Sequence, residues 1–91
     1  MQCYVYKGDK KEDSYLYLNY EFDADHVPSE FPAAILRMMG ALSLVVAFDL
    51  QPNRVMPQAE APKVLADLES QGYYLQLQKR DMKALEDEMF G

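Results

Sequence analysis

The chain has one cysteine, one histidine and no tryptophan among its 91 residues. A lone thiol cannot staple a chain, so packing must supply the stability, as suits a reducing compartment. The four glycines stand apart at positions 8, 40, 72 and 91, which leaves no Gly-rich loop to cradle a phosphate. Bases are scarce as well: nine Lys and Arg face 15 Asp and Glu, for a formal net charge of −6. Binding to a phosphate backbone works by releasing counterions through Lys and Arg, and anionic membranes attract the same residues. The charge balance works against both and favours a protein or small-molecule partner. Long hydrophobic runs are also missing. The most apolar stretch, Ala33 to Phe48, is broken by Arg37, Gly40 and Ser43 and falls short of the ~20 residues of a spanning helix. The opening Met1-Gln2-Cys3-Tyr4 has no basic n-region, so no secretory signal is expected and the cytoplasm is the expected location.

What is present is an ordinary globular composition, 49% apolar and 26% charged. The length suits one domain, with a core over 1–78 and a closing helix over 79–91. Residues 2–7 (Gln-Cys-Tyr-Val-Tyr-Lys) and 15–20 (Tyr-Leu-Tyr-Leu-Asn-Tyr) read as strands of an antiparallel hairpin, because the polar loop between them is too short for a parallel crossover. Ser29 is placed to cap a helix with Pro32 in its first turn, running to Met39 with Gly40 as its stop. Leu42 to Phe48 is apolar at nearly every position, the pattern of a central strand covered on both faces. A second helix spans Ala59 to Gln71, with Ala61, Val64, Leu65 and Leu68 on one stripe, Pro62 near its start and Gly72 after its end. A fourth strand covers Tyr73 to Gln78. A last helix covers Asp81 to Phe90, where Glu86, Asp87 and Glu88 carry the wrong sign for a C-terminal end. The order β-β-α-β-α-β-α predicts an α+β fold: a two-layer α/β sandwich built on a four-stranded mixed sheet.

Alternation along the strands gathers the tyrosines. If every aliphatic residue lies under the helices, the opposite face collects Tyr4, Tyr6, Tyr15, Tyr17 and Tyr74, edged by Gln2, Gln76 and Gln78. Such a face suits a protein contact, because tyrosine gives rigid contact area at small entropic cost. It also suits stacking of unpaired RNA bases, with Lys7, Lys10, Lys11, Lys79 and Arg80 nearby. Plain cross-strand stabilisation beneath a covering helix explains the same residues.

Other chemistry is thin. His26 lies near Asp23 and Asp25, but the set lacks the ligand count and spacing of a metal centre. Cys3 and His26 are a candidate nucleophile–base pair, yet Cys3 sits on the apolar face of a strand, where thiols are ordinarily inert. No catalytic residue, metal ligand or cofactor is expected.

Several short motifs together resemble the YcgL-like family of small proteobacterial proteins. They are Cys3 with Tyr6, Tyr15-Leu16-Tyr17, Phe22 with Val27-Pro28, Gly40, Lys63-Val64 with Leu68, and Gly72-Tyr73-Tyr74-Leu75-Gln76-Leu77. Against that pattern, the Pro28–Gly40 segment is about one helical turn long in excess, and Gln78 stands where the family usually has proline. The resemblance implies a compact α/β sandwich in a bacterial cytoplasm and transfers no activity and no catalytic residue. The function expected is therefore a non-catalytic protein-interaction module using Tyr4, Tyr6, Tyr15, Tyr17, Tyr74 and Gln76. Single-stranded RNA on the same face, or a small-molecule or enzymatic pocket near Cys3 and His26, are the alternatives. Partner identity and oligomeric state are left open.

Overall fold

The computed structural model describes residues 1–55 and 59–77. In chain order these form β1 (Gln2–Gly8), β2 (Tyr15–Leu18), α1 (Ala33–Met39), β3 (Leu42–Asp49), α2 (Ala61–Gln71) and β4 (Tyr73–Gln76). The α+β class and the four strands are as expected, while Gln78 and the helix expected over 81–90 lie outside the described residues.

The sheet is not mixed. Its order is β3-β1-β2-β4 and each of the three pairings is antiparallel. Leu42 to Phe48 is not a central strand either, because β3 forms an edge and leaves Leu44, Val45 and Val46 exposed. A two-sided apolar pattern shows that a strand tolerates cover on both faces, and it does not say which strand provides the neighbours.

Neither do the helices share one layer. Pairing sets Tyr6 opposite Leu16 and Leu16 opposite Leu75, and these side chains pack with Phe31, Ile35 and Met39 under α1. It sets Val5 opposite Tyr17 and Tyr17 opposite Tyr74, and these pack with Ala61, Val64 and Leu68 under α2. Alternate residues of a strand point to opposite faces. The sheet therefore lies between the two helices, in three layers rather than two.

Local chemistry sets the ends of the helices. Proline biases the residue before it away from helical angles, and α1 begins only after Pro32, which serves as its N-cap. Ser29 is not the cap; its hydroxyl donates to Glu30 Oε2 at 3.4 Å. α2 has Pro62 in its first turn and ends on Gly72, whose φ of 85° is left-handed and whose N–H donates to Leu68 O at 3.0 Å. The loop after β1 clamps the end of α1: Lys10 N donates to Met39 O at 3.1 Å, and Asp9 Oδ1 accepts from Ala41 N at 3.0 Å. A Cβ on Gly8 would lie 2.0 Å from Met39 O, so only glycine lets the strand pass that close.

Candidate functional site

Among the described residues, the α2 side of the sheet is only partly covered. α2 packs over β2 and β4, where Asn19 Nδ2 donates to Leu68 O at 3.2 Å and ties its last turn down. Towards β1 and β3 the same face opens into an apolar groove of about 370 Å³. Its floor is Val5, Tyr15, Tyr17, Val46 and Phe48, and Arg54 and Gln76 stand among its walls.

Three features shape this groove. β3 carries a bulge: Val5 pairs with Val46 and Tyr6 with Leu44, which leaves Val45 as the extra residue and brings both Val45 and Val46 to the groove. Tyr17 is held in place by its hydroxyl, which donates to Gln76 Oε1 at 2.9 Å, and by the edge of Tyr74 at a ring separation of 5.5 Å. The Arg54 guanidinium lies 4.1 Å from the centre of the Phe48 ring, a cation–π contact that places a positive charge beside an apolar floor. Burial pushes the Tyr17 and Tyr74 phenols above their ordinary range, with further contributions from Cys3 at Tyr17 and from Asp67 at Tyr74. Both remain neutral donors at physiological pH.

The tyrosine residues singled out by alternation are thus divided. Tyr15, Tyr17 and Tyr74 share the α2 side with Gln76. Tyr4 and Tyr6 lie on the α1 side, where Tyr6 is buried and accepts a hydrogen bond from Phe22 N at 2.8 Å. The cause is the register of the hairpin: Tyr4 faces Leu18 and Tyr6 faces Leu16, and a slip of one residue would have united all five rings. A five-ring stacking platform on one face does not form. Alternation singles out Tyr15, Tyr17 and Gln76 of the groove; among those it does not single out are Val45, Val46, Phe48, Arg54 and Val55. Their signal was the uninterrupted apolar run followed by Arg54, but its meaning depends on β3 being at an edge.

The second constellation does not assemble. Cys3 is fully buried beneath α2 and its thiol is pushed up to about 11 by burial, against a smaller opposing pull from the N-terminal ammonium and Arg54. His26 is exposed, its Nδ1 is 2.8 Å from Asp23 Oδ2, and no hydrogen bond joins it to Cys3. The Asp23 carboxyl is held below its usual range by the Asp25 N–H and then by His26. Among the described residues no three His, Cys, Asp or Glu side chains converge as metal ligands, and no helix is long and apolar enough to cross a membrane.

The family model described as the YcgL domain matches residues 3–79. A YcgL domain-containing protein of Thioalkalivibrio sulfidiphilus is 33% identical over 85 residues, which is 93% of this chain and all of that protein. One from Shewanella sp. strain ANA-3 is 39% identical over 77 residues, 85% of this chain and 79% of the other. A Nitrosococcus oceani protein that carries the name "Putative HAD-like hydrolase" is 35% identical over 81 residues, 89% of this chain, which spans only 21% of that protein's length.

Proposed function

The chain belongs to the YcgL domain family, and on that premise we propose that it is a non-catalytic interaction module that receives a segment of another protein in the α2-side groove. The groove itself carries this reading. It offers an apolar floor, an aromatic edge at Tyr15, a second at Tyr17 whose hydroxyl is held by Gln76, and one charge of each sign, Arg54 and Asp13. Pockets of this kind take an apolar side chain and orient it through a few polar groups. Arg54 adds a preference for a neighbouring carboxylate. The preferred ligand is then an apolar side chain flanked by an acid, presented by a protein.

Two further observations support a module over an enzyme. The thiol is sealed from solvent, and the exposed imidazole is bonded to a carboxylate on its own loop. The related segment in Nitrosococcus oceani lies within a much longer protein named as a hydrolase, so a similar unit is found attached to other chain as well as by itself. A hydrolase is accordingly the first partner to try. RNA stacking is the weaker reading, since the rings divide between two faces and the net charge is −6.

The test is an affinity capture with tagged protein from its own cell lysate, half of it nuclease-treated, beside an Arg54→Glu variant. The reading expects one protein recovered equally from both halves and lost with the variant. Recovery that vanishes with nuclease would make the surface an RNA site. Recovery of nothing specific would turn the search towards a small ligand.

A further inference from the structure

A second cavity lies past the end of the β2–β4 pair, where Leu18 pairs with Tyr73. Its volume is about 710 Å³, against about 370 Å³ for the groove. One wall is the last turn of α2, from Leu68 to Gly72, and the other is the connection from β2 to α1. Tyr20, Phe31 and Tyr73 bring three aromatic rings to it. The Phe31 and Tyr73 rings are 5.3 Å apart and tilted by 56°, so they form a corner and not a stack. Pro28 and Pro32 add apolar surface from the connection.

The charge around these rings has one sign. Glu30 and Glu69 line the cavity from exposed positions, and no Lys, Arg or His is among the described residues that line it. The groove, by contrast, has Arg54 among its walls. The backbone of α2 presents its negative end here, and its last turn has no basic residue to offset it. The phenols register this field. Burial pushes Tyr20 up and Glu30 adds to the rise, and burial pushes Tyr73 up with a further contribution from Asp67. Electron-rich ring faces in a negative field suit a positive ligand. A bare divalent ion is the poorer match, since calcium takes about six to eight oxygen ligands. Two carboxylates fall short of that, and no three metal-ligating side chains converge among the described residues. A guanidinium group is the better match, because it stacks on aromatic faces and pairs with carboxylates. Its aliphatic stem would pack along the prolines and Leu68.

We propose that this cavity is a second binding site, which receives an arginine side chain of a partner protein. It goes beyond the groove reading and does not depend on it. The cavity is open and wide enough for the residues on either side of the arginine, which favours a chain segment over a small free cation.

Amide NMR on the full, isotopically labelled chain tests this with three probes. They are the blocked tripeptide acetyl-glycyl-arginyl-glycinamide, its citrulline counterpart and N-acetylagmatine. Citrulline keeps the shape of the arginine side chain without its charge, and N-acetylagmatine keeps the charged stem without the flanking residues. The arginine tripeptide is expected to bind saturably in the millimolar range and to shift Phe31, Glu69 and Gly72, while the citrulline tripeptide shifts none of them. Glu30→Gln combined with Glu69→Gln keeps both side-chain sizes at exposed positions. That variant is expected to stay folded by circular dichroism and to bind the arginine tripeptide about fivefold more weakly, as for the loss of exposed charge pairs. Equal shifts from the arginine and citrulline peptides overturn the proposal, as does no saturation up to about 50 mM. Undiminished affinity in the double variant overturns it too. Shifts centred on Tyr15, Tyr17 and Val46 overturn it by sending the cation to the groove. N-acetylagmatine binding as tightly as the tripeptide overturns the protein source and assigns the cavity to a small organic cation.

Discussion

The two sides of the sheet are finished to different degrees. On the α1 side, Tyr6, Leu16, Leu18, Ile35 and Met39 are buried, and a belt of partly buried residues closes around them. Tyr6 meets Phe22 edge-on at 6.1 Å, and Phe31 meets Tyr73 at 5.3 Å. Phe22 and Phe31 come from the connection between β2 and α1, so a seven-residue helix with its flanking loop buries the middle of that face and leaves Leu44 exposed at the β3 edge. On the α2 side, an eleven-residue helix seals less, because it sits over β2 and β4 and leaves β1 and β3 to the groove. Cover is therefore set by where an element docks and by what its flanking loops contribute, more than by its length. The α1 side is the more completely buried of the two, and the α2 side keeps apolar surface exposed at the groove.

Substitutions should expose this contrast. The largest effect is expected at the centre of the closed side. Ile35→Ala removes a side chain that is 1% exposed, and large-to-small changes in a packed core cost about 2–5 kcal/mol. Chemical denaturation measures it. A loss below about 1 kcal/mol would mean that the α1 side is as loosely packed as its opposite. Next comes Tyr6→Phe, which keeps the ring but leaves Phe22 N–H without its acceptor. That unpaired donor is expected to cost about 1–3 kcal/mol. The corresponding change on the open side, Tyr17→Phe, removes a hydroxyl whose partner Gln76 borders the groove. Its expected cost is smaller, about 0.5–1.5 kcal/mol, and equal losses in the two variants would erase the distinction.

Cys3 sharpens the comparison from within, since it marks the sealed part of the α2 side. Its thiol rises from 9.0 to about 11 on folding, chiefly by burial. The folded chain favours the protonated thiol, so the associated stability is complete below pH 9 and is lost as pH rises towards 11. Iodoacetamide should leave the native thiol unmodified at pH 8 and label it promptly in denaturant. Fast labelling of the native chain would show that the groove extends beneath α2.

The elements were legible in the sequence where local chemistry decides them. Gly72 and Pro62 frame α2, and the spacing of Val64 and Leu68 gives its buried stripe. The short polar loop makes β1 and β2 a hairpin. Placement was less legible, because it depends on long-range pairing. The parity of the hairpin turns on one residue of register, which divided Tyr4 and Tyr6 from Tyr15, Tyr17 and Tyr74. The groove proposed as the candidate site was partly legible for the same reason. Tyr15, Tyr17 and Gln76 belong to the groove, whereas Val46, Phe48 and Arg54 acquire their role only when β3 becomes an edge.

The smallest effect is expected at the rim of the open side. Val55 is 93% exposed and still borders the groove. An isopropyl group already in water has little burial to lose, so Val55→Ser should leave stability within about 0.5 kcal/mol, as at other surface positions. Capture of the partner should nevertheless weaken, because burying that side chain on binding is worth about 1.5–3 kcal/mol at full cover, an upper bound for a residue on the rim. Denaturation and capture measured on the same variant keep the two effects apart. A fall in stability with capture unchanged would mean that Val55 packs against its own chain and that the open side is less open than its geometry, which would reduce the contrast between the two faces to one of degree.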